Sequence, residues 1–243
     1  MIVRVRRFDP AAVPRVGGQA VRGRGRWQSY RVEARPMMSV LDALFWILEH
    51  EDPTLAFRFS CRAGMCGSCA MVINGREGLA CGVRLHDLRP PVSVEPLRSL
   101  PVVKDLLVDL RPFFDKYRAV DPFYVGEAGS LLGPAPEPAV VPPGSGGRDV
   151  VDRQIDCISC GACYSACPVV GIVPEFLGPA ALNRAYAIAA DTRDTAGAER
   201  LRRVSSDGGA YACRSVGNCV TVCPVGVNPL LSIQLLRKGA VHR

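Results

Sequence analysis

Long apolar runs are missing from this 243-residue chain. No stretch approaches the roughly 18 residues that a membrane-crossing helix requires, so the chain is not expected to span a bilayer by itself. Histidine is nearly absent, with only three in the chain. His50 is expected at a helix end, His86 in a loop and His242 in the tail, and none falls in a metal-ligand spacing. No GxGxxG follows a strand and there is no P-loop, so a nucleotide or flavin site of either kind is not expected. The opening MIVRVRRFDP contains Arg6-Arg7, but the apolar segment of an export signal does not follow, and the chain reads as cytoplasmic. What is present excludes wholesale disorder: 48% of residues are hydrophobic, enough for one large or two ordinary cores.

Lysine is scarce as well, limited to Lys104, Lys116 and Lys238, so the formal charge of +7 rests on arginine. Its distribution argues against a nucleic-acid protein. Residues 1–35 hold nine arginines against Asp9 and Glu33, and the remainder of the chain is neutral. Such a patch suits an acidic partner or anionic headgroups, and it equally suits a pair of edge strands blunted by charge.

Eleven cysteines dominate what is there. The number is odd, and a reducing cytosol disfavours a disulfide framework, so metal or redox chemistry is the better expectation. The first group, Cys61, Cys66, Cys69 and Cys81, has the C-x4-C-x2-C…C spacing of plant-type ferredoxins, which hold a [2Fe–2S] cluster by four thiolates. Gly64 and Gly67 suit a loop whose backbone must approach inorganic sulfide closely. A zinc site is the alternative, but zinc favours two C-x2-C knuckles and only one occurs in this group. The second group, Cys157-x2-Cys160-x2-Cys163-x3-Cys167-Pro168, is the bacterial ferredoxin run, in which the fourth cysteine ligates the other of two clusters. The third group, Cys213-x5-Cys219-x3-Cys223-Pro224, fits the same frame except that Val216 stands where the second cysteine belongs.

One cluster then takes Cys157, Cys160, Cys163 and Cys223, and is expected to be [4Fe–4S]. The other takes Cys167, Cys213 and Cys219 and is expected to be [3Fe–4S], with a second [4Fe–4S] carrying water on its fourth iron as the alternative. Four, four and three ligands use every cysteine. Each oxidised cluster with its thiolates carries about −2, so the loaded chain is close to neutral. Three clusters without a substrate site describe an electron wire, one subunit of a larger oxidoreductase, with no catalytic residue of its own.

The organisation supports two domains, 1–108 and 109–243. IVRVRRF (2–8) and WQSYRVEA (27–34) alternate as strands of one hairpin, with Gly17-Gly18 in the connection. Ser39 precedes Leu41, Leu44, Phe45 and Leu48 at helical spacing, and Asp42 completes a capping-box pattern. LAFRFS, AMVI, the Asn74-Gly75 turn and VSVEP predict further strands, the order of a β-grasp sheet with one covering helix. Residues 101–125 read as helical. The stretch 126–149, in which 11 of 24 residues are Gly or Pro, reads as a linker, floppy at GSGG. Beyond it, short helices separated by cysteine loops are expected, with Pro179 opening one and Asn228-Pro229 another that ends before Gly239. The fold class is α+β: an N-terminal β-grasp [2Fe–2S] ferredoxin-like domain and a C-terminal all-α bacterial-ferredoxin-like domain.

SCRAGMCGSC (60–69), CISCGACYSACP (157–168), PEFLGPAALNRA (174–185) and CRSVGNCVTVCP (213–224) resemble the iron–sulfur subunit of succinate dehydrogenase and fumarate reductase, and GACY and PEFLGPAA lean toward the fumarate reductase branch. The resemblance runs through nearly the whole chain. It implies a partner flavoprotein with covalent FAD, a membrane anchor that binds quinone, a peripheral place on the cytoplasmic face of the membrane, and a part in electron transport and the tricarboxylic acid cycle. Electrons would cross [2Fe–2S], [4Fe–4S] and [3Fe–4S] in that order. Ubiquinone-linked members carry Trp and His where Ile172 and Arg214 stand, which fits menaquinone or an altered site. Gln234 and Arg237 occupy positions of a Gln and a Lys in fumarate reductases, so with Arg214 they are expected near the quinone or its anchor, or else as a helix end whose cations complement its dipole. The rival reading is the iron–sulfur subunit of a soluble, non-quinone oxidoreductase, thiol-linked or glycolate-oxidase-like.

Overall fold

The computed structural model describes residues 1–10, 15–16, 19–20, 25–126 and 140–239. Gly17-Gly18, linker residues 127–139 and His242 lie outside them. The chain divides into two compact units: Met1–Pro112 with Ile158–Ala166, and Phe113–Cys157 with Cys167–Arg243.

The first unit is built on a mixed five-stranded sheet. β1 (Ile2–Arg7), β4 (Arg26–Arg31), β5 (Ala70–Ile73), β6 (Arg76–Leu79) and β7 (Val92–Glu95) lie in the order β4-β1-β7-β5-β6. Between β1 and β4 in sequence lies the short pair β2 (Arg15–Val16) and β3 (Gln19–Ala20). β1 runs antiparallel to β4 and parallel to β7, the arrangement of a β-grasp. Alternation in β1 turns Val3, Val5 and Arg7 inward. Helix α1 (Val40–His50) opens with the expected capping box: the Ser39 hydroxyl accepts from the Asp42 amide, and the Asp42 carboxylate accepts from the Ser39 amide. Such a cap contributes about 0.5–2 kcal/mol. Its buried face is Val40, Leu41, Ala43, Leu44 and Ile47, rotated from the stripe expected of Leu41, Leu44, Phe45 and Leu48. Phe45 instead meets Phe57 and Phe59 edge-on, at 5.3 and 4.6 Å between centroids.

Two expectations for this unit need correction. LAFRFS (55–60) is not a strand; its phenylalanines serve the cluster around Phe45, and its one cross-chain backbone bond of note is from Leu106 N–H to the Ala56 carbonyl. Residues 101–110 are not helical but form the hairpin β8 (Val102–Lys104) and β9 (Leu107–Val108), and helix α2 is limited to Arg111–Arg118. The cause is Asp105. It takes a left-handed turn with φ 48°, and its buried carboxylate accepts from Arg7 Nε at 2.9 Å and from the amides of Phe8 and Ala56. Helical periodicity in VVKDLLVDL cannot compete with burying that ion pair against β1.

The second unit is helical. α3 (Gly146–Ile155) begins inside the stretch read as floppy, because Ser145 caps it by accepting from the Arg148 amide. α4 (Ala162–Ser165) follows in the chain but belongs to the first unit. α5 (Pro179–Ala189) is the core helix, buried almost all round, and it packs against α3, α6 (Gly197–Val204) and α8 (Pro229–Arg237), with α7 (Asn218–Thr221) preceding α8. The fully buried Asn183 of α5 donates to the Gln154 carbonyl at 2.9 Å and accepts from Ser232 at 2.8 Å, which stitches α3, α5 and α8 together. Pro179 at the first turn of α5, the Asn228-Pro229 start of α8 and Gly239 past its end stand as expected.

Candidate iron–sulfur centres

All eleven cysteines fall within the described residues and none is in a disulfide. In the first unit, Cys61, Cys66 and Cys69 follow one another on the loop between α1 and β5, and Cys81 follows β6. The loop turns through left-handed residues at Arg62 (φ 58°), Gly64 (75°) and Gly67 (71°). This aims backbone amides inward. The Cys61 sulfur accepts from the amides of Ala63 and Cys66 at 3.4 and 3.3 Å, and the Cys66 sulfur from those of Cys61 and Ser68 at 3.4 and 3.5 Å. Four amide donors on two sulfurs is a cage for negative charge, which a neutral thiol has little use for. Hydrogen bonds from Ser68 and Cys61 hold the Cys66 thiol down at about 6, and burial pushes Cys69 up to about 12. The donor set therefore fits a cluster held by thiolates, with protons released as it binds.

Gly67 has a second task. A Cβ there would lie 2.7 Å from Cys160 Cβ and 2.9 Å from Cys160 Cα. The first cysteine loop and the loop carrying Cys160 thus meet backbone to backbone. β6 grips the same segment from the other side: buried Glu77 accepts from the Ser165 hydroxyl at 2.9 Å and pairs with Arg98, whose own amide donates to Ser165 at 2.7 Å. Sequence reading missed this latch. The available signal was a glutamate at an inward-facing strand position and a serine flanked by cysteines.

The second and third cysteine groups repeat one backbone. After Cys157, Ser159 is left-handed (φ 53°), then comes Cys160, then left-handed Gly161 caps the four-residue α4 before Cys167-Pro168. After Cys213, Ser215 is left-handed (55°), then comes Val216, then left-handed Gly217 caps the four-residue α7 before Cys223-Pro224. Val216 therefore occupies the backbone position of Cys160. Of the set Cys157, Cys160, Cys163 and Cys223, the middle two stand in the first unit and the outer two in the second.

Cys167, Cys213 and Cys219 all stand in the second unit and line one small cavity of about 20 Å³, together with Val216, Phe176 and Ile233. Burial pushes Cys219 up to about 11 and raises Cys167, while the Ser215 amide donates to the Cys213 sulfur at 3.4 Å. Three thiols and one valine around a single pocket fit a cluster with three protein ligands.

The three residues expected near a quinone are placed differently from one another. Arg214 is exposed at the cavity rim, and Gln234 is exposed on α8. Arg237 donates to the carbonyls of Ala210 (2.9 Å), Tyr211 and Cys213. His50 is exposed at the end of α1 and His86 is exposed in the turn Leu85–Asp87.

A β-grasp sheet with one cysteine loop, followed by two cysteine–proline loops of the same backbone, the first of which runs through both units, defines an iron–sulfur electron carrier of two ferredoxin-type parts. Family models agree: residues 2–115 match the 2Fe-2S iron-sulfur cluster binding domain and residues 153–227 the 4Fe-4S dicluster domain. The chain is 42% identical to the fumarate reductase iron-sulfur subunit of Mycobacterium tuberculosis over 86% of its own length and 83% of that protein. It is 37% identical to the counterpart from Haemophilus influenzae (84% and 82% covered) and 38% identical to the succinate dehydrogenase iron-sulfur subunit of Paracoccus denitrificans (84% and 77%). A chain of the Mycobacterium smegmatis Sdh1 complex in the apo form superposes with a TM-score of 0.78 at 26% identity, covering 98% of this chain and 95% of that one. The chain belongs to the family of succinate dehydrogenase and fumarate reductase iron–sulfur subunits, and is an electron-transfer component of an oxidoreductase.

Proposed function

We propose that this subunit carries electrons between FAD in a flavoprotein partner and a quinone, best matched by menaquinone, at a membrane anchor, from a peripheral position on the cytoplasmic face of the membrane. When bound, the clusters supply the one-electron steps that join a two-electron flavin to a two-electron quinone. Cys61, Cys66, Cys69 and Cys81 hold [2Fe–2S]; Cys157, Cys160, Cys163 and Cys223 hold [4Fe–4S]; Cys167, Cys213 and Cys219 hold [3Fe–4S]. The observation that carries the reading is the duplicated loop with valine in place of its second cysteine, lining a pocket with three thiols.

Each end of the wire has a surface suited to its partner. At the first loop, Met65, Met37 and Phe59 are exposed beside Arg62, which stacks on Phe45, a face for the flavoprotein. Around the third cysteine group, Tyr211, Val216 and Leu231 are exposed, apolar surface that suits an anchor and an apolar quinone. No helix among the described residues is long and apolar enough to cross a membrane, so attachment falls to these surfaces.

The test is to purify the complex without oxygen, count iron and zinc per chain, and record EPR spectra oxidised and reduced. About nine irons, no zinc and an oxidised-state [3Fe–4S] signal are expected. Stoichiometric zinc, or about ten irons without that signal, would overturn the assignment.

A further inference from the structure

We infer that Glu77 is a positioning residue for electron transfer between the first and second centres: through Ser165 and Arg98, its buried carboxylate ties the strand that leads to Cys81 to the short helix that carries Cys163, and so sets how strongly the two centres couple. The inference rests on the [2Fe–2S] and [4Fe–4S] assignments above. Glu77, Arg98 and Ser165 all lie in the first unit, as do Cys81 and Cys163. Glu77 faces inward on β6, the last strand of the sheet order, with Leu79 buried on the same face. Cys81 follows four residues on, and the Ala80 amide between them donates to the Cys69 carbonyl at 3.0 Å, so β6 is fastened to the ligands of the first centre. On its other side, Glu77 Oε1 accepts from the Ser165 hydroxyl at 2.9 Å. Ser165 is the last residue of α4, two past Cys163, and its amide donates to the Gly161 carbonyl at 2.9 Å. From Cys81 to Cys163 the connection is one strand, one hydrogen bond and one helical turn.

That hydrogen bond has a fixed direction. An amide only donates, so the Arg98 N–H, 2.7 Å from the Ser165 oxygen, leaves the single proton of that hydroxyl for Glu77. Arg98 closes the ring, with Nη1 donating to Glu77 Oε1 at 3.3 Å and Nη2 to the Gly75 carbonyl at 3.1 Å. Glu77 and Ser165 are 5% and 4% exposed, so neither can exchange its partner for water. A buried carboxylate is costly without its donors, and these donors exist only while α4 keeps one orientation against β6. Leu97, next to Arg98, adds a lateral stop: its Cδ1 lies 3.5 Å from where a Cβ on Gly161 would stand. The step served is the passage of one electron from the first centre to the second, which oxidises one as it reduces the other and moves no proton. Its rate falls steeply with separation, so a helix free to shift on β6 would slow it.

The experiment is EPR on the fully reduced, assembled complex for the parent, Glu77→Ala, Ser165→Ala and Glu77→Gln, with amide hydrogen exchange of α4 followed on the same samples. Unpaired spins on two reduced centres interact with a strength that falls as the inverse cube of their separation, so the spectral splitting reads spacing apart from stability or turnover. Glu77→Ala and Ser165→Ala cut the same bond, and each is expected to weaken and blur the splitting with both signals present. Each also leaves a buried polar group unsatisfied, so exchange at the Ser165 and Ala166 amides is expected to rise roughly 5- to 150-fold. Glu77→Gln keeps an oxygen for the Ser165 proton and is expected to retain most of the parent splitting. An unchanged splitting in Glu77→Ala, whatever the exchange does, makes the latch a stability feature and overturns the inference. A parent-like Ser165→Ala takes the hydroxyl out of the connection and also overturns it, as does loss of the second signal from every variant, which would mean that the latch builds the site instead of spacing it. A parent complex without both reduced signals, or without any splitting between them, overturns the cluster assignments themselves, and so is distinguishable from failure of the inference alone.

Discussion

Gly67→Ala isolates the close approach of the first two cysteine loops. Two costs arise there. A non-glycine residue in the left-handed region loses about 1–2 kcal/mol. The added Cβ, 2.7 Å from Cys160 Cβ and 2.9 Å from its Cα, must also move backbone rather than a flexible side-chain end, an overpacking cost of about 1–3 kcal/mol. Gly64→Ala carries the first cost without the second, since its φ is 75° and its Cβ would meet nothing within 4 Å. Both substitutions also restrict the unfolded chain, which offsets each by about 0.4–1 kcal/mol and cancels in the comparison. Gly67→Ala is therefore expected to be less stable than Gly64→Ala by about 1–3 kcal/mol, a difference in melting temperature of about 2–4 °C per kcal/mol for a chain of this size. Heating the loaded chains side by side, with visible cluster absorption as the readout, measures it. Equal midpoints for the two variants would refute the backbone-to-backbone contact.

Val216→Cys supplies the thiol that the duplicated loop lacks, so iron is expected to rise from about nine to about ten per chain and the oxidised-state [3Fe–4S] signal to disappear; unchanged iron would mean the valine is not what withholds the fourth ligand. Acid should act through Asp52. Burial pushes its carboxyl upward, but hydrogen bonds from Thr54, Tyr30 and Arg7 outweigh this and hold it below the usual carboxylate range. A depressed folded pKa contributes stability present above the unfolded value of about 4 and lost as pH falls through the folded value. Asp52→Asn is thus expected to melt lower than the parent at pH 7, with the gap closing below about pH 4; a gap independent of pH would refute the ion-pair account.

Cysteine spacing made the 2Fe-2S and 4Fe-4S domains legible because ligation is a local constraint: a loop that wraps a small inorganic core must set its sulfurs at fixed intervals. Helix starts were legible for the same reason, as at Ser39 and Asn228, whose side chains satisfy amides three residues on. The errors came where long-range burial decided. VVKDLLVDL reads as helix by period, yet the pairing of Asp105 with Arg7, 98 residues away, folds it into a hairpin. GSGG reads as floppy by composition, yet Ser145 starts a helix there. Gly67 was expected to serve its own loop; that it also admits Cys160 could not be read without knowing that Ile158–Ala166 folds with the first unit.

That last point bears on how a wire is assembled. Electron transfer needs neighbouring centres held at short range, and a chain could meet this by docking two finished domains. Here one segment of the second cysteine run is built into the first unit instead, admitted by Gly67 on one side and latched by Glu77 and Arg98 through Ser165 on the other. Cys160 and Cys163 lie inside that segment. Within the first unit, the spacing between the [2Fe–2S] loop and these two thiols is therefore a property of one folded core. A buried carboxylate bonded to a serine and an arginine is costly to break, about 1–3 kcal/mol for a group left unsatisfied, so the latch resists opening. The same loop backbone recurs around Cys213, with Val216 at the position of Cys160. The place of Cys160 and Cys163 beside the first cysteine loop thus rests on packing within the first unit, whereas the three-ligand centre proposed for the third group would rest on one residue at a fixed backbone position.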